Sequence, residues 1–171
     1  MNAANLPIKT DILPSQSQQP QLTRYILARL EDITFVFPST LVAEILILER
    51  SQILALPFYN PAILGIIHHS SQIIPLISLR QIIGFPPGLS LETLTAIRLG
   101  DAAGDLADVG LVVDLTLGMR TSDQLPPDLL SADQLPNLTN SELKMRLFQP
   151  EILAGHLWQP RKWQSLTPNS Y

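Results

Sequence analysis

The sequence contains no cysteine. That excludes a disulfide framework, a zinc ribbon, an iron–sulfur site and a cysteine nucleophile. Charge is scarce: Asp, Glu, Lys and Arg make up 15% of the 171 residues, where an average soluble chain carries roughly 25%. Hydrophobic residues reach 46%, so much of a surface this short of charge is expected to meet a partner. No basic excess is present either. The net charge of −4 argues against non-specific binding to nucleic acid or an anionic membrane. Aromatic residues amount to 6% and offer few platforms for stacking bases. Glycines number 8 and prolines 15, a punctuation that breaks long helices. Long apolar runs are also missing. Residues 51–79 contain no Asp, Glu, Lys or Arg, but Pro57, Pro61 and Pro75 cut them and His68-His69-Ser70-Ser71-Gln72 lies in their middle. A spanning helix needs about 20 apolar residues, so short buried strands fit this stretch better. Met1-Asn2-Ala3-Ala4-Asn5 has neither a basic start nor an apolar run, and no secretory signal is expected.

What is there reads as strands. Residues 1–21 end in Pro14-Ser15-Gln16-Ser17-Gln18-Gln19-Pro20-Gln21, a polar tract expected to be a disordered tail. Tyr25-Ile26-Leu27-Ala28-Arg29-Leu30, the turn Glu31-Asp32 and Thr34-Phe35-Val36-Phe37 predict a hairpin stopped by Pro38. Ser39 is a good N-cap, and residues 40–46 are expected to form a short helix with Leu41, Val42 and Ile45 inward. Ile63-Leu64-Gly65-Ile66-Ile67-His68 and Ile73-Ile74-Pro75-Leu76-Ile77 predict a second hairpin around Ser70-Ser71. Pro75, which cannot donate to a ladder, is expected at an edge or bulge. Leu79-Arg80-Gln81-Ile82-Ile83 reads as a helical turn closed by Gly84. Leu94 to Leu99 and Val109 to Asp114 predict strands, the latter continuing toward Met119. A proline-rich excursion follows over 121–140. Ile152 to Trp158 and Trp163 to Leu166 predict a closing hairpin. Many short strands with Gly/Pro turns make this an all-β chain, a barrel or sandwich with few helices.

Chemistry-bearing clusters are weak. His68 and His69 are neighbours on a strand and point to opposite faces, so they do not form a metal site, and none is expected. Ser70-Ser71 beside a histidine lacks the glycines and helix of a nucleophile elbow. Asp101, Asp105 and Asp108 lack the calcium-loop pattern and read as a solvated loop. Asp114 is expected to bond backbone amides at a strand end. Glu44, among Val42, Ile45 and Leu46, is the better functional acid, expected to project from an apolar patch toward a partner's Arg or Lys. Trp158 and Trp163 are core anchors or interface residues, with Trp158 the better candidate for exposure.

At the central hairpin the sequence resembles the CheW-like domain family, the coupling proteins of bacterial chemosensory arrays. The family pattern Gly-Val-Ile-Asn-Leu-Arg-Gly, a variable residue, then Val-x-Pro-Val-Ile-Asp-Leu stands here as Gly65-Ile66-Ile67-His68-His69-Ser70-Ser71-Gln72-Ile73-Ile74-Pro75-Leu76-Ile77-Ser78-Leu79. Val42-Ala43-Glu44-Ile45 looks like Val-x-Glu-Ile, Leu54-Ala55-Leu56-Pro57 like the piece before the hairpin, and Gly110-Leu111-Val112-Val113-Asp114 matches Gly-Leu-Val-Val-Asp. The resemblance covers about residues 22–167. It implies two small five-stranded SH3/OB-like β-barrels packed together, the first centred on 33–85 and the second on 92–166, with 168–171 as a tail. It also implies a cytoplasmic, non-enzymatic adaptor without cofactor or metal. Its partners would be a chemoreceptor's cytoplasmic tip of the methyl-accepting type and the regulatory domain of a CheA-type histidine kinase, with self-association in arrays as a further contact. Partner binding would fall on Val42, Glu44, Gly65, Ile67, His68 and Ser70.

The departures are specific. The family's Asn is His68, its Arg is Ser70, its turn Gly is Ser71 and its Asp is Ser78. Serine offers only neutral hydrogen bonds where Arg and Asp offer charge-assisted ones. Without glycine, a positive φ at Ser71 is strained or the turn takes another shape. Two readings stay open: a specialised array, such as one controlling pilus-driven motility, or loss of one of the two standard partners. The alternative outside the family is an SH3- or OB-like barrel that binds another protein or a small ligand.

Overall fold

The computed structural model describes residues 22–88, 91–130, 145–153 and 155–158. The expected tails 1–21 and 168–171, and Trp163 to Leu166, lie outside them. Among the described residues nine strands follow in order: β1 (Arg24–Leu30), β2 (Ile33–Pro38), β3 (Val42–Glu49), β4 (Ile63–His69), β5 (Gln72–Ser78), β6 (Thr93–Leu99), β7 (Gly110–Val113), β8 (Leu115–Thr121) and β9 (Met145–Leu147). One short helix, α1 (Leu79–Ile82), follows β5. They form a four-stranded sheet, β8-β1-β2-β9, and a five-stranded sheet, β3-β6-β7-β5-β4. Neither sheet is a continuous piece of chain. Residues 33–85 supply β2 to the first sheet and β3, β4 and β5 to the second, while β6 and β7 return to the second and β8 and β9 to the first. The all-β, two-subdomain expectation holds, but the first sheet has four strands, not five, among the described residues.

Both predicted hairpins form. On β1–β2, Ile26 faces Phe37 and Ala28 faces Phe35. All four are buried in a core shared by the two sheets, together with Ile77, Ile97, Leu99, Leu111 and Val113 from the opposite sheet. Phe148, just beyond β9, stacks on Phe37 at 4.5 Å between centroids, and its N–H donates to the Val36 carbonyl at 2.8 Å. Such a ring pair adds about 1 kcal/mol beyond its buried area. A second core lies on the other face of the five-stranded sheet: Leu46, Leu48, Ile67, Ile74, Leu76, Ala96 and Val112. The sheet curls around it. Its two outermost strands approach each other where Glu44 of β3 meets His69 of β4, and Leu54 bridges to β4 at Ile66.

Three expectations are corrected. Residues 40–46 are not a helix: a 3-10 turn, Ser39–Leu41, runs straight into β3. Along β3, Leu46 and Leu48 are buried while Ala43, Ile45 and Ile47 are exposed, a period of two that pairing with β6 enforces. The strand expected from Val109 toward Met119 is broken at Asp114, where the chain leaves one sheet for the other. The Asp114 N–H donates to the Arg29 carbonyl at 3.1 Å, and its Oδ2 accepts from the Glu31 N–H at 2.7 Å. This is the backbone-bonding role the sequence suggested. In place of the expected strand, Pro150–Ile152 and Gly155–Trp158 are 3-10 turns; Pro150 sets the first. Trp158 is half-buried against the shared core.

Arg80 of α1 joins the sheets. Its guanidinium pairs with Glu31 in the β1–β2 turn and lies 3.6 Å from Asp114, while its Nε donates to the Pro86 carbonyl at 2.7 Å. Ser78, at the family's Asp position, caps α1: its hydroxyl accepts from the Gln81 N–H at 3.4 Å.

Candidate functional site

The β4–β5 hairpin pairs in register from Ile66↔Pro75 to His69↔Gln72 and turns at Ser70-Ser71. Both turn residues have positive φ, 49° and 66°. That is the signature of a type I′ turn, whose twist matches that of the flanking strands. The turn keeps the hairpin shape without the family's glycine, at a steric cost of about 1 kcal/mol for each serine. Pro75 is not at an edge, since β5 lies between β7 and β4. Its partner Ile66 turns its own N–H and C=O away, to Leu54 at 2.9 Å in each direction. Pro75 therefore sits at a non-hydrogen-bonded position against β4, and the β5–β7 ladder starts only at Leu76. No donor is missed.

The hairpin has two unlike faces. Inward lie Gly65, Ile67, Ile74 and Leu76, all buried. Outward lie the cross-strand rows Leu54–Ile66–Pro75 and His68–Ile73. Leu54 is 66% exposed and Ile73 65%, His68 is exposed, and Ile66 and Pro75 are half-buried. Residues 51–79 supply no Asp, Glu, Lys or Arg to this face.

At the tip the inward face ends in a polar plug. Glu44 shares the inward face of β3 with Leu46 and Leu48. Arg98 is paired opposite it on β6, with its Nε 2.7 Å from Glu44 Oε1. The N–H is not aligned on that oxygen, so the contact is ionic, not a directed hydrogen bond. Arg98 Nη1 donates to Asp108 Oδ1 at 2.6 Å and to Gln72 Oε1 at 2.9 Å. His69 Nε2 lies 3.5 Å from Glu44 Oε1, an ion pair when the imidazole carries a proton. The plug closes the end of the second core.

The six residues expected to bind a partner are thus split. His68 and Ser70 are exposed. Val42 is half-buried and packs on the shared core. Glu44 does not project from an apolar patch; Arg98 and His69 engage it within the chain. Ile67 is 3% exposed and belongs to the second core. Gly65 is buried with φ +145°, and a Cβ there would stand 2.3 Å from the Leu54 carbonyl oxygen. The backbone approach at Gly65 is close, and it is to this chain's own Leu54. A side chain placed at Gly65, as in Gly65→Asp, would disturb folding before it reached any partner. Sequence reasoning missed Leu54 and Ile73 as surface residues and Arg98 as the hub of the plug. Asp108, read as solvated, is the hub's second carboxylate; Asp101 and Asp105 are exposed as expected.

Among the described residues no cluster of three His, Asp or Glu could hold a metal ion, and no helix is long and apolar enough to cross a membrane. The described residues define the class: a two-sheet β domain with one hairpin whose outer face is partly apolar and carries no Asp, Glu, Lys or Arg. The CheW-like domain model matches residues 24–140, and the chain belongs to that family. Among solved structures it is similar to the scaffolding protein TtCheW from Thermoanaerobacter tengcongensis. The two share 20% identity with a TM-score of 0.50, over 65% of this chain and 75% of that one. That likeness is one of fold. No curated protein matches the chain.

Proposed function

We propose that the chain is a non-enzymatic, cytoplasmic adaptor that couples chemoreceptor tips to the regulatory domain of a CheA-type histidine kinase. Membership of the CheW-like domain family supports the kind of role. The observation that carries the site is the outer face of the β4–β5 hairpin: exposed Leu54, His68 and Ile73 beside half-buried Ile66 and Pro75, without a charge. Apolar residues exposed together on a rigid strand pair favour a partner through burial of area. Ser70 at the tip adds neutral hydrogen bonds that set register. Because the carboxylates nearby are already paired with Arg98, attraction at this face is short-range and not screened by salt.

The test is titration calorimetry against the regulatory domain of a CheA-type kinase from the same source, with pelleting on receptor-tip assemblies as the second arm. Saturable one-to-one binding whose Kd changes less than about threefold between 50 and 500 mM salt is expected, since an interface without ion pairs has little for salt to screen. Absence of binding to both partners at tens of micromolar would overturn the adaptor reading. A Kd that weakens tenfold or more with salt would move the contact to a charged surface elsewhere.

A further inference from the structure

Behind the hairpin tip lies the plug, in which Arg98 touches three of the other four members directly and reaches His69 only through Glu44. The Arg98 side chain is 18% exposed. It contacts β3 through Glu44, the start of β5 through Gln72, and the loop before β7 through Asp108. That loop is anchored in turn. The Asp108 N–H donates to the Leu99 carbonyl at 2.9 Å, and Ala103, Leu106 and Val109 are buried in the shared core. The hairpin tip has no comparable anchor of its own: its turn carries two serines with positive φ. On the tip side the charge-bearing contacts are those of Glu44 with His69 and of Arg98 with Gln72, and both run through the plug.

We propose that Arg98 is the positioning residue of the contact face: it fixes the β4–β5 tip against the loop 100–109 and so sets how His68, Ser70 and Ile73 are presented. The proposal rests on the adaptor reading for its consequence in binding, but not for the geometry of the tip. Arg98 suits the role because a planar guanidinium reaches three acceptors in different directions at once. Lysine keeps the charge and loses that reach.

The experiment compares Arg98→Lys with a control, Val112→Ala, which removes volume from the second core without touching the plug. Amide NMR spectra of the full chain are recorded without partner, and Kd for the kinase regulatory domain is measured where both variants remain folded. Arg98→Lys is expected to shift the amides of Ser70, Ser71, Gln72 and Asp108 and to weaken binding at least fivefold. Val112→Ala is expected to leave those amides in place and Kd within twofold, even where it lowers the melting temperature as much. Unmoved tip amides in Arg98→Lys, or equal loss of affinity in Val112→Ala, would overturn the proposal and leave the plug a purely structural cap. If the wild-type chain binds neither the kinase domain nor receptor tips, the adaptor reading fails while the tip amides still decide the role of Arg98.

Discussion

The chain contains two hairpins of nearly the same build, and they differ in what surrounds the turn. β1–β2 turns at Glu31-Asp32, with Glu31 at φ 53°; β4–β5 turns at Ser70-Ser71. The first turn is charged and held down: Glu31 pairs with Arg80, and its N–H bonds Asp114. The second is uncharged, and its anchoring contacts lie on the inner face of the strands behind it. A turn pinned to helix α1 and to the β7–β8 crossing serves the joint between sheets. A tip held only from within leaves its outer face free for another molecule. Two similar strand–turn–strand sequences are thus held in opposite ways, by residues far away in sequence, Arg80 and Arg98.

The sharpest way to break that contrast is to place a charge on each face of β4–β5. Ile67→Glu buries a carboxylate in the second core among Leu46, Leu48, Ile74 and Leu76. An uncompensated buried charge costs about 4 kcal/mol, most of the stability of a marginal domain. Circular dichroism and urea denaturation are expected to show a largely unfolded chain. Ile73→Glu puts the same charge on the outer face, where Ile73 is already 65% exposed. Stability is expected to stay within about 0.5 kcal/mol of wild type, while affinity for the kinase domain falls about 30-fold, the loss of one hot-spot side chain. Equal destabilisation by both changes would mean the two faces are not distinct.

Arg80→Ala tests the other hairpin. It removes the cation between Glu31 and Asp114 and the donor to the Pro86 carbonyl. The side chain is mostly buried, so the loss is expected to be about 1.5 kcal/mol, read as an earlier urea midpoint. Hydrogen exchange should speed up at Glu31 and Asp114 while Ser70 and Ser71 keep their rates. Loss of kinase binding in this variant, at full folding, would show that the joint and not only the tip shapes the contact face.

Much of this was legible in the sequence, and the failures have physical causes. Alternation and turn residues located both central hairpins, because a two-residue turn between apolar strands is a local signal. Val42 to Leu46 was misjudged because Leu41, Val42 and Ile45 satisfy a helical spacing as well as a strand's. Only pairing with β6 selects period two, and that pairing is non-local. Extending the window to Ile47 and Leu48 gives a continuous apolar run, Ile45-Leu46-Ile47-Leu48, which suits a strand but does not say which residues face inward. Ile67 and Gly65 were placed on the surface because a hairpin's inner and outer faces look alike when both are apolar. Arg98 was passed over because nothing local marks it: its partners Glu44, Gln72 and Asp108 lie 54 residues before it, 26 before it and 10 after it.

The smallest expected effect concerns the turn itself. Ser70 and Ser71 hold φ values of 49° and 66°, a region that glycine enters without the clash between Cβ and backbone. Ser71→Gly relieves a strain of about 1 kcal/mol in the folded chain. It also loosens the unfolded chain, which opposes the gain by about 0.5 kcal/mol. The net expectation is a stabilisation of about 0.5 kcal/mol, seen as a slightly later urea midpoint. Kinase affinity should stay within twofold, because the plug and not the turn backbone holds the tip in place. A larger fall in affinity, with the gain in stability intact, would mean that the strained serine turn is itself part of the contact surface. The β4–β5 tip would then be tuned for its partner at the expense of its own stability, as the pinned and charged Glu31-Asp32 turn is not.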